Sequence, residues 1–214
     1  MILSFKQITA AVVLGICVVP MSGVMAQQPV PQTVRVLRFN GEMTSMLAAL
    51  PNTFGVTVGV ELDTQRYHRV ALSLEDATVT DIMNALVESS KKYQWRQTGG
   101  FVDIWPVRGG NALLETKISR FNVKDLSPSE AFDQLFNLPE VQASMTDLNL
   151  KRRAPAGPPG VAPEKLSSSR FSLTLEGVSL REALNRIAQE SRLQIWLFRN
   201  YPNGFFSISS VERQ

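Results

Sequence analysis

One histidine, one cysteine and a few neighbouring carboxylates are the groups this 214-residue chain offers to catalysis. His68 sits in the polar run Asp63-Thr-Gln-Arg-Tyr-His-Arg69. A protein metal site gathers several His, Cys or carboxylate ligands, and no second histidine exists to join it. A Ser-His-Asp triad would have to be built on the same residue. His68 is therefore read as an ordinary loop histidine. The pairs Glu61/Asp63 and Glu75/Asp76 could in principle do acid–base work, but at strand ends they read as surface or turn residues. Glu176 repeats Glu75 in a second copy of the same segment, so this glutamate serves a repeated module rather than a unique active site. No Gly-rich phosphate loop is present. No catalytic, metal or cofactor site is expected, which leaves recognition. Lys151-Arg152-Arg153 is a compact basic cluster beside a Pro/Gly-rich stretch. It reads as a solvated loop, or more sharply as a docking arm for an acidic surface or a protease-sensitive site. Trp196, Phe198, Tyr201, Phe205 and Phe206 are too dense for one buried sheet face. Most are expected in the core, and any exposed on an edge strand would receive a partner strand by β-augmentation. The partner-binding candidates are thus Trp196, Phe198, Phe205, Phe206, Lys151, Arg152 and Arg153, with Trp95 and Trp105 raising the same question more weakly.

The first 26 residues set the compartment before any folding argument. Lys6 supplies a positive start, Ile8 to Pro20 is nearly unbroken apolar chain, and Val24-Met25-Ala26 offers a small residue at a cleavage position. The apolar run is short for a membrane span. A secretory signal peptide cut after Ala26 is expected, with an uncleaved anchor as the alternative. Leu14-Gly15-Ile16-Cys17 superficially resembles a lipobox, but Ile16 is large where a small residue is required. Cleavage removes Cys17, the one cysteine, so the exported chain has no disulfide and no thiol nucleophile. Lys6 leaves with it, and the formal charge of the whole chain is only +3. That balance gives no special attraction to nucleic acid or anionic lipid.

The remaining chain is organised by a duplication. Leu72-Ser-Leu-Glu-Asp-Ala-Thr-Val-Thr-Asp-Ile-Met-Asn-Ala-Leu86 returns 101 positions later as Leu173-Thr-Leu-Glu-Gly-Val-Ser-Leu-Arg-Glu-Ala-Leu-Asn-Arg-Ile187. After an extended start at 27–33, the first copy begins with alternating Val34 to Phe39. Met43, Met46, Leu47 and Leu50 then form one helical stripe, which Pro51-Asn52 is expected to close. Val56, Val58, Val60 and Leu62 alternate as a strand, followed by strand Val70 to Leu74. A helix capped by Thr78 carries Val79, Ile82, Met83 and Leu86. Tyr93 to Trp95 and Phe101 to Trp105 close a hairpin across Gly99-Gly100. The second copy starts at Thr116, with Arg120-Phe121-Asn122 matching Arg38-Phe39-Asn40. Ser127-Pro128-Ser129-Glu130 starts a helix with Phe132, Leu135 and Phe136 on its buried side. A Pro/Gly-rich insertion, expected to be disordered over about 151–169, precedes the strand of Phe171, Leu173 and Leu175. Ser179-Leu-Arg-Glu182 reads as a full capping box. Leu193 to Phe198 and Phe205 to Ile208 make a last hairpin. The expected fold class is α+β: two tandem β-α-β-β-α-β-β modules at 34–107 and 116–211, read as two small lobes joined by a linker at 108–115, with their mutual packing left open.

Phe171-Ser-Leu-Thr-Leu-Glu-Gly-Val-Ser-Leu-Arg-Glu-Ala-Leu-Asn-Arg-Ile187, with Val70 to Leu86 as a looser copy, resembles the short N-terminal (STN) domain of secretins and TonB-dependent receptors. The resemblance covers most of the chain apart from the leader, linker and insert, and its positions are mainly core positions. It speaks for fold rather than activity. The resemblance implies a periplasmic module that binds protein: a secretin, a TonB-system component or an inner-membrane assembly component beside the outer membrane. No barrel or pore segment follows the modules, so a stand-alone or truncated relative is expected, with no membrane span after signal cleavage and no nucleic-acid partner. The rival expectation is binding of a cell-wall glycan or small ligand in the groove between the copies.

Overall fold

A computed structural model describes residues 32–63, 68–153 and 169–212. The expected signal peptide at 1–26, most of the N-terminal segment and insert residues 154–168 lie outside them. The first repeat runs β1 (Val34–Glu42), α1 (Met43–Phe54), β2 (Thr57–Asp63), β3 (Arg69–Ala77), α2 (Val79–Ser90), β4 (Tyr93–Thr98) and β5 (Phe101–Pro106). A 3-10 turn at Ala112–Glu115 leads into β6 (Lys117–Leu126), α3 (Pro128–Phe136), α4 (Pro139–Asp147), β7 (Lys151–Arg152), β8 (Phe171–Ser179), α5 (Leu180–Glu190), β9 (Leu193–Tyr201) and β10 (Phe205–Glu212). The fold is α+β.

Local chemistry accounts for most of these boundaries. Thr78 and Ser127 each accept from the backbone of the residue three on, whose carboxylate returns to the cap nitrogen, so both boxes close. At α5 Ser179 accepts from the Glu182 amide; the reciprocal half expected of Glu182 is not formed. Pro51 does not end α1. The helix continues through it to Phe54, and Gly55, at φ 67°, caps the last turn with its N–H on Pro51 O. Helix α4 has no strong apolar stripe and no sequence signal; fully buried Val141 anchors it in the core, with Met145 packed partly buried beside it. Positions one repeat apart share unusual backbone: Asp76 and Gly177, and the helix-ending Lys91 and Arg192, all have positive φ.

The described strands sort into three sheets. β1 pairs with β3 and β6 with β8, each antiparallel, while the order β4-β5-β2-β9-β10-β7 makes a six-stranded sheet through the middle. The two expected lobes therefore share one sheet. β2 of the first repeat runs parallel to β9 of the second, Val58 opposite Ile195 through Asp63 opposite Asn200. Because side chains alternate across a strand, this sheet has two buried faces. Val58, Val60, Val102, Ile104, Ile195 and Leu197 join α1 and α2 in one core. Phe101, Trp196, Phe198, Phe206 and Ile208 join α3, α4 and α5 in the other. Each repeat thus lays its helices on the opposite face of a sheet that both supply. The segment 108–115, expected as a linker, is part of this packing, with Leu113 and Leu114 fully buried.

Candidate functional site

A buried ion cluster lies where the repeats meet, and beside it runs β4, which among the described residues ends the six-stranded sheet. The cluster is built from adjacent strands. Asp103 of β5 stands opposite Gly59 of β2, and Glu61 is the next β2 residue on the same face. Over them comes Arg181, in the first turn of α5, where the helix dipole opposes a positive charge. The guanidinium is held by Glu61 through Nη2, by Asp103 at 3.4 Å through Nη1 and by Glu115 at 3.3 Å through Nε. Side-chain exposure is 8% for Arg181, 4% for Glu61 and 2% for Asp103, so these charges depend on one another rather than on water. The Asn111 backbone N–H donates to Glu61 Oε1 at 2.5 Å. Gly110 makes room for this closure, since a Cβ there would lie 2.8 Å from both Arg181 Nη2 and Glu61 Oε2.

Burial pushes the pKa values of Glu61 and Asp103 up, outweighing the attraction of Arg181. Burial also opposes the charge on Arg181, but Asp103 and Glu61 outweigh it and hold that pKa above its ordinary value. At the helix starts the sign reverses. Hydrogen bonds from Thr78 lower Asp81, those from Ser127 lower Glu130, and backbone hydrogen bonds lower Glu140. As pH falls, the folded state takes up protons at Glu61 and Asp103 before the unfolded state does, so these two contribute a gain above the ordinary carboxylate range. The capping carboxylates contribute stability that is lost only as pH falls through their depressed folded values. A carboxyl-carbon NMR titration should therefore place the Glu61 and Asp103 midpoints above 4.5 and 3.8, and those of Asp81 and Glu130 below 3.8 and 4.5. Midpoints of all four at unshifted values would contradict the buried geometry.

A groove of about 710 Å³ opens beside the cluster, between α5 and the β4–β5 hairpin. Arg96 crosses its mouth, paired with Asp103 at 3.3 Å and itself 60% exposed. Trp105 lines the groove, but the guanidinium groups of Arg96 and Arg181 lie over its ring at 5.5 and 5.7 Å. Arg186 and Gln189 of α5 stand on the far side.

The sequence-expected residues fall in two places. Trp196, Phe198 and Phe206 are wholly buried, so the folded surface does not present them. Phe198 stacks on Phe206 at 5.1 Å, and Trp196 donates from Nε1 to Asn185 Oδ1 at 2.9 Å. Their density is explained by a sheet that buries both faces. Phe205, at 37% exposure, does gather with the basic cluster at the other end of the sheet. There Lys151 and Arg152 form β7 along β10, correcting the expectation of disorder at those residues. Arg152 pairs with Asp133 at 2.9 Å and lies over Phe136, while Arg153 sits over Tyr201 and Phe205. His68 packs edge-on against Tyr93 at 5.2 Å. Glu75 and Asp76 are exposed as expected, whereas Glu61 is buried. Sequence reasoning missed Arg181 and Asp103, since one lay inside a capping motif and the other inside a hairpin. A carboxylate on the strand run Val58-Gly-Val-Glu-Leu62 was the available signal. Among the described residues, no group of three or more His, Cys, Asp or Glu could hold a metal, and no helix is long and apolar enough to cross a membrane. Comparison with known proteins finds no matching family model, no matching curated protein and no matching solved structure.

Proposed function

We propose that this chain is a non-catalytic protein-interaction module of the periplasm, an adaptor or accessory of a secretin, pilus, secretion or TonB-dependent system of the cell envelope. The observation that supports it most is the end of the six-stranded sheet. β4 is six residues long and, among the described residues, has β5 as its one strand neighbour. A strand of that length with free backbone groups is a template for another chain. The groove's chemistry supports a polar partner over a sugar, because its Trp105 ring already carries two cations. The buried carboxylates are engaged by Arg181, which favours a structural role for them.

In-cell crosslinking of the tagged, exported protein, followed by mass spectrometry, tests this reading. Recovery of a secretin, a TonB-system component or an inner-membrane assembly protein is the expected result. Co-sedimentation with purified peptidoglycan, and no protein captured, would overturn it in favour of the glycan rival.

A further inference from the structure

The duplication supplies an internal template for what the open edge of β4 accepts. Trp95 and Trp196 stand one repeat apart, and each is fixed by the asparagine eleven residues before it. Trp95 Nε1 donates to Asn84 Oδ1 at 3.0 Å, and Trp196 Nε1 to Asn185 Oδ1 at 2.9 Å. β9 is thus the counterpart of β4. In the second repeat the outer edge of that strand is filled by β2, running parallel, with Gly59 directly opposite Trp196. The glycine is required there, since a Cβ would lie 2.7 Å from Trp196 Cε2. In the first repeat the same strand, with the same asparagine-held tryptophan, has no such neighbour among the described residues, and Trp95 is only half-buried.

The two edges differ on their other face. Beside Trp196 stand Ile195 and Leu197, buried under the helices of the first repeat, whereas the residues flanking Trp95 are Gln94 and Arg96, both exposed. Lys91 and Lys92 precede them, so the segment 91–98 carries three cations and no acid. An incoming strand would therefore meet a flat indole on one side and, on the other, two lysines and the 60% exposed Arg96, whose guanidinium gives only Nη2 to Asp103.

We propose that the β4 edge binds, in parallel, an extended acidic segment of a partner protein that places glycine opposite Trp95 and a carboxylate opposite Arg96. This rests on the protein-interaction reading above and specifies its site and the chemistry of the segment. The chain's own β7 is a poor occupant for a second copy, being two residues long and made of Lys151 and Arg152, which would bring like charge to Arg96.

The test uses the isotope-labelled full chain and a heptapeptide, Thr-Val-Gly-Glu-Glu-Leu-Asp. This is the β2 sequence with Val60→Glu, which faces a carboxylate to Arg96 when glycine meets Trp95. Amide shifts confined to 93–98 and the Trp95 indole are expected. A spin label on the peptide's N-terminus should broaden Tyr93 rather than Thr98, which reads the parallel direction. Peptides with valine for the glycine, or lysine for the glutamate opposite Arg96, should each bind on the order of tenfold more weakly. No shift in β4, equal binding of the three peptides, or broadening at the Thr98 end would overturn the proposal. So would β4 shifts that follow protein concentration without peptide, which would mark a second copy as the occupant. Crosslinks to an envelope protein through another face would overturn this inference while leaving the adaptor reading intact. Loss of every protein crosslink would remove the adaptor reading, whatever the peptide does.

Discussion

Replacing Arg181 with methionine is expected to cost the fold about 3–5 kcal/mol, because it leaves buried Glu61 without its counter-charge and Asp103 with only the exposed Arg96. Glu61 and Asp103 are almost wholly enclosed, and neither can turn to water without parting β2 from the segment that covers it. The loss should appear as a lower urea midpoint with little change in slope. The triple variant Arg181→Met, Glu61→Gln, Asp103→Asn removes all three charges and should recover part of the loss, since no buried charge is then left without its partner, while the buried amides keep a desolvation cost. If the single variant were as stable as the parent, the cluster would not be holding the junction. If the triple variant fell as far as the single one, hydrogen-bond geometry rather than charge would be the cause. The consequence reaches beyond stability, because these residues tie α5 of the second repeat to β2 and β5 of the first.

Gly59→Ala is expected to be the second most damaging change, at about 1–3 kcal/mol for one added carbon. Its Cβ would lie 2.7–2.8 Å from three atoms of the Trp196 indole. That ring cannot swing aside freely, being fully buried and bonded to Asn185. Trimming Trp196 to leucine should by itself cost about 3 kcal/mol through the void it leaves. Combined with Gly59→Ala it should cost clearly less than the two added together, since the new methyl occupies part of that void. Strict additivity in this cycle would mean that the two side chains do not meet. Gly41 provides a comparison, since its close neighbour is the flexible edge of the Phe39 ring at 2.9 Å. Gly41→Ala should cost less, because that ring belongs to a two-stranded sheet and is only partly buried.

What could be read along the chain was whatever depends on neighbours a few residues away. Helix stripes at Met43 to Leu50 and Val79 to Leu86, the Thr78 and Ser127 caps and the alternating Val58 to Leu62 all express local periodicity and local hydrogen bonding. Where local signals were weak or in conflict, the expectation failed. Pro51 reads as a stop, yet its place late in α1 lets Gly55 finish the helix, and α4 carries no apolar stripe because only Val141 is fully buried.

The candidate site was largely hidden for a different reason. Whether Trp196 is core or surface turns on which strand lies beside β9, and no local pattern encodes a parallel pairing between residues more than a hundred positions apart. By itself the sequence determined an α+β chain with a duplicated strand–helix segment, and the turns, caps and apolar stripes of each copy, because these follow from contacts within a few residues. Only the tertiary structure decided that β2 would join β9, bury both faces of one sheet, gather Glu61, Asp103 and Arg181, and place β4 at the end of the sheet among the described residues. Those outcomes depend on long-range packing that every part of the chain must satisfy at once.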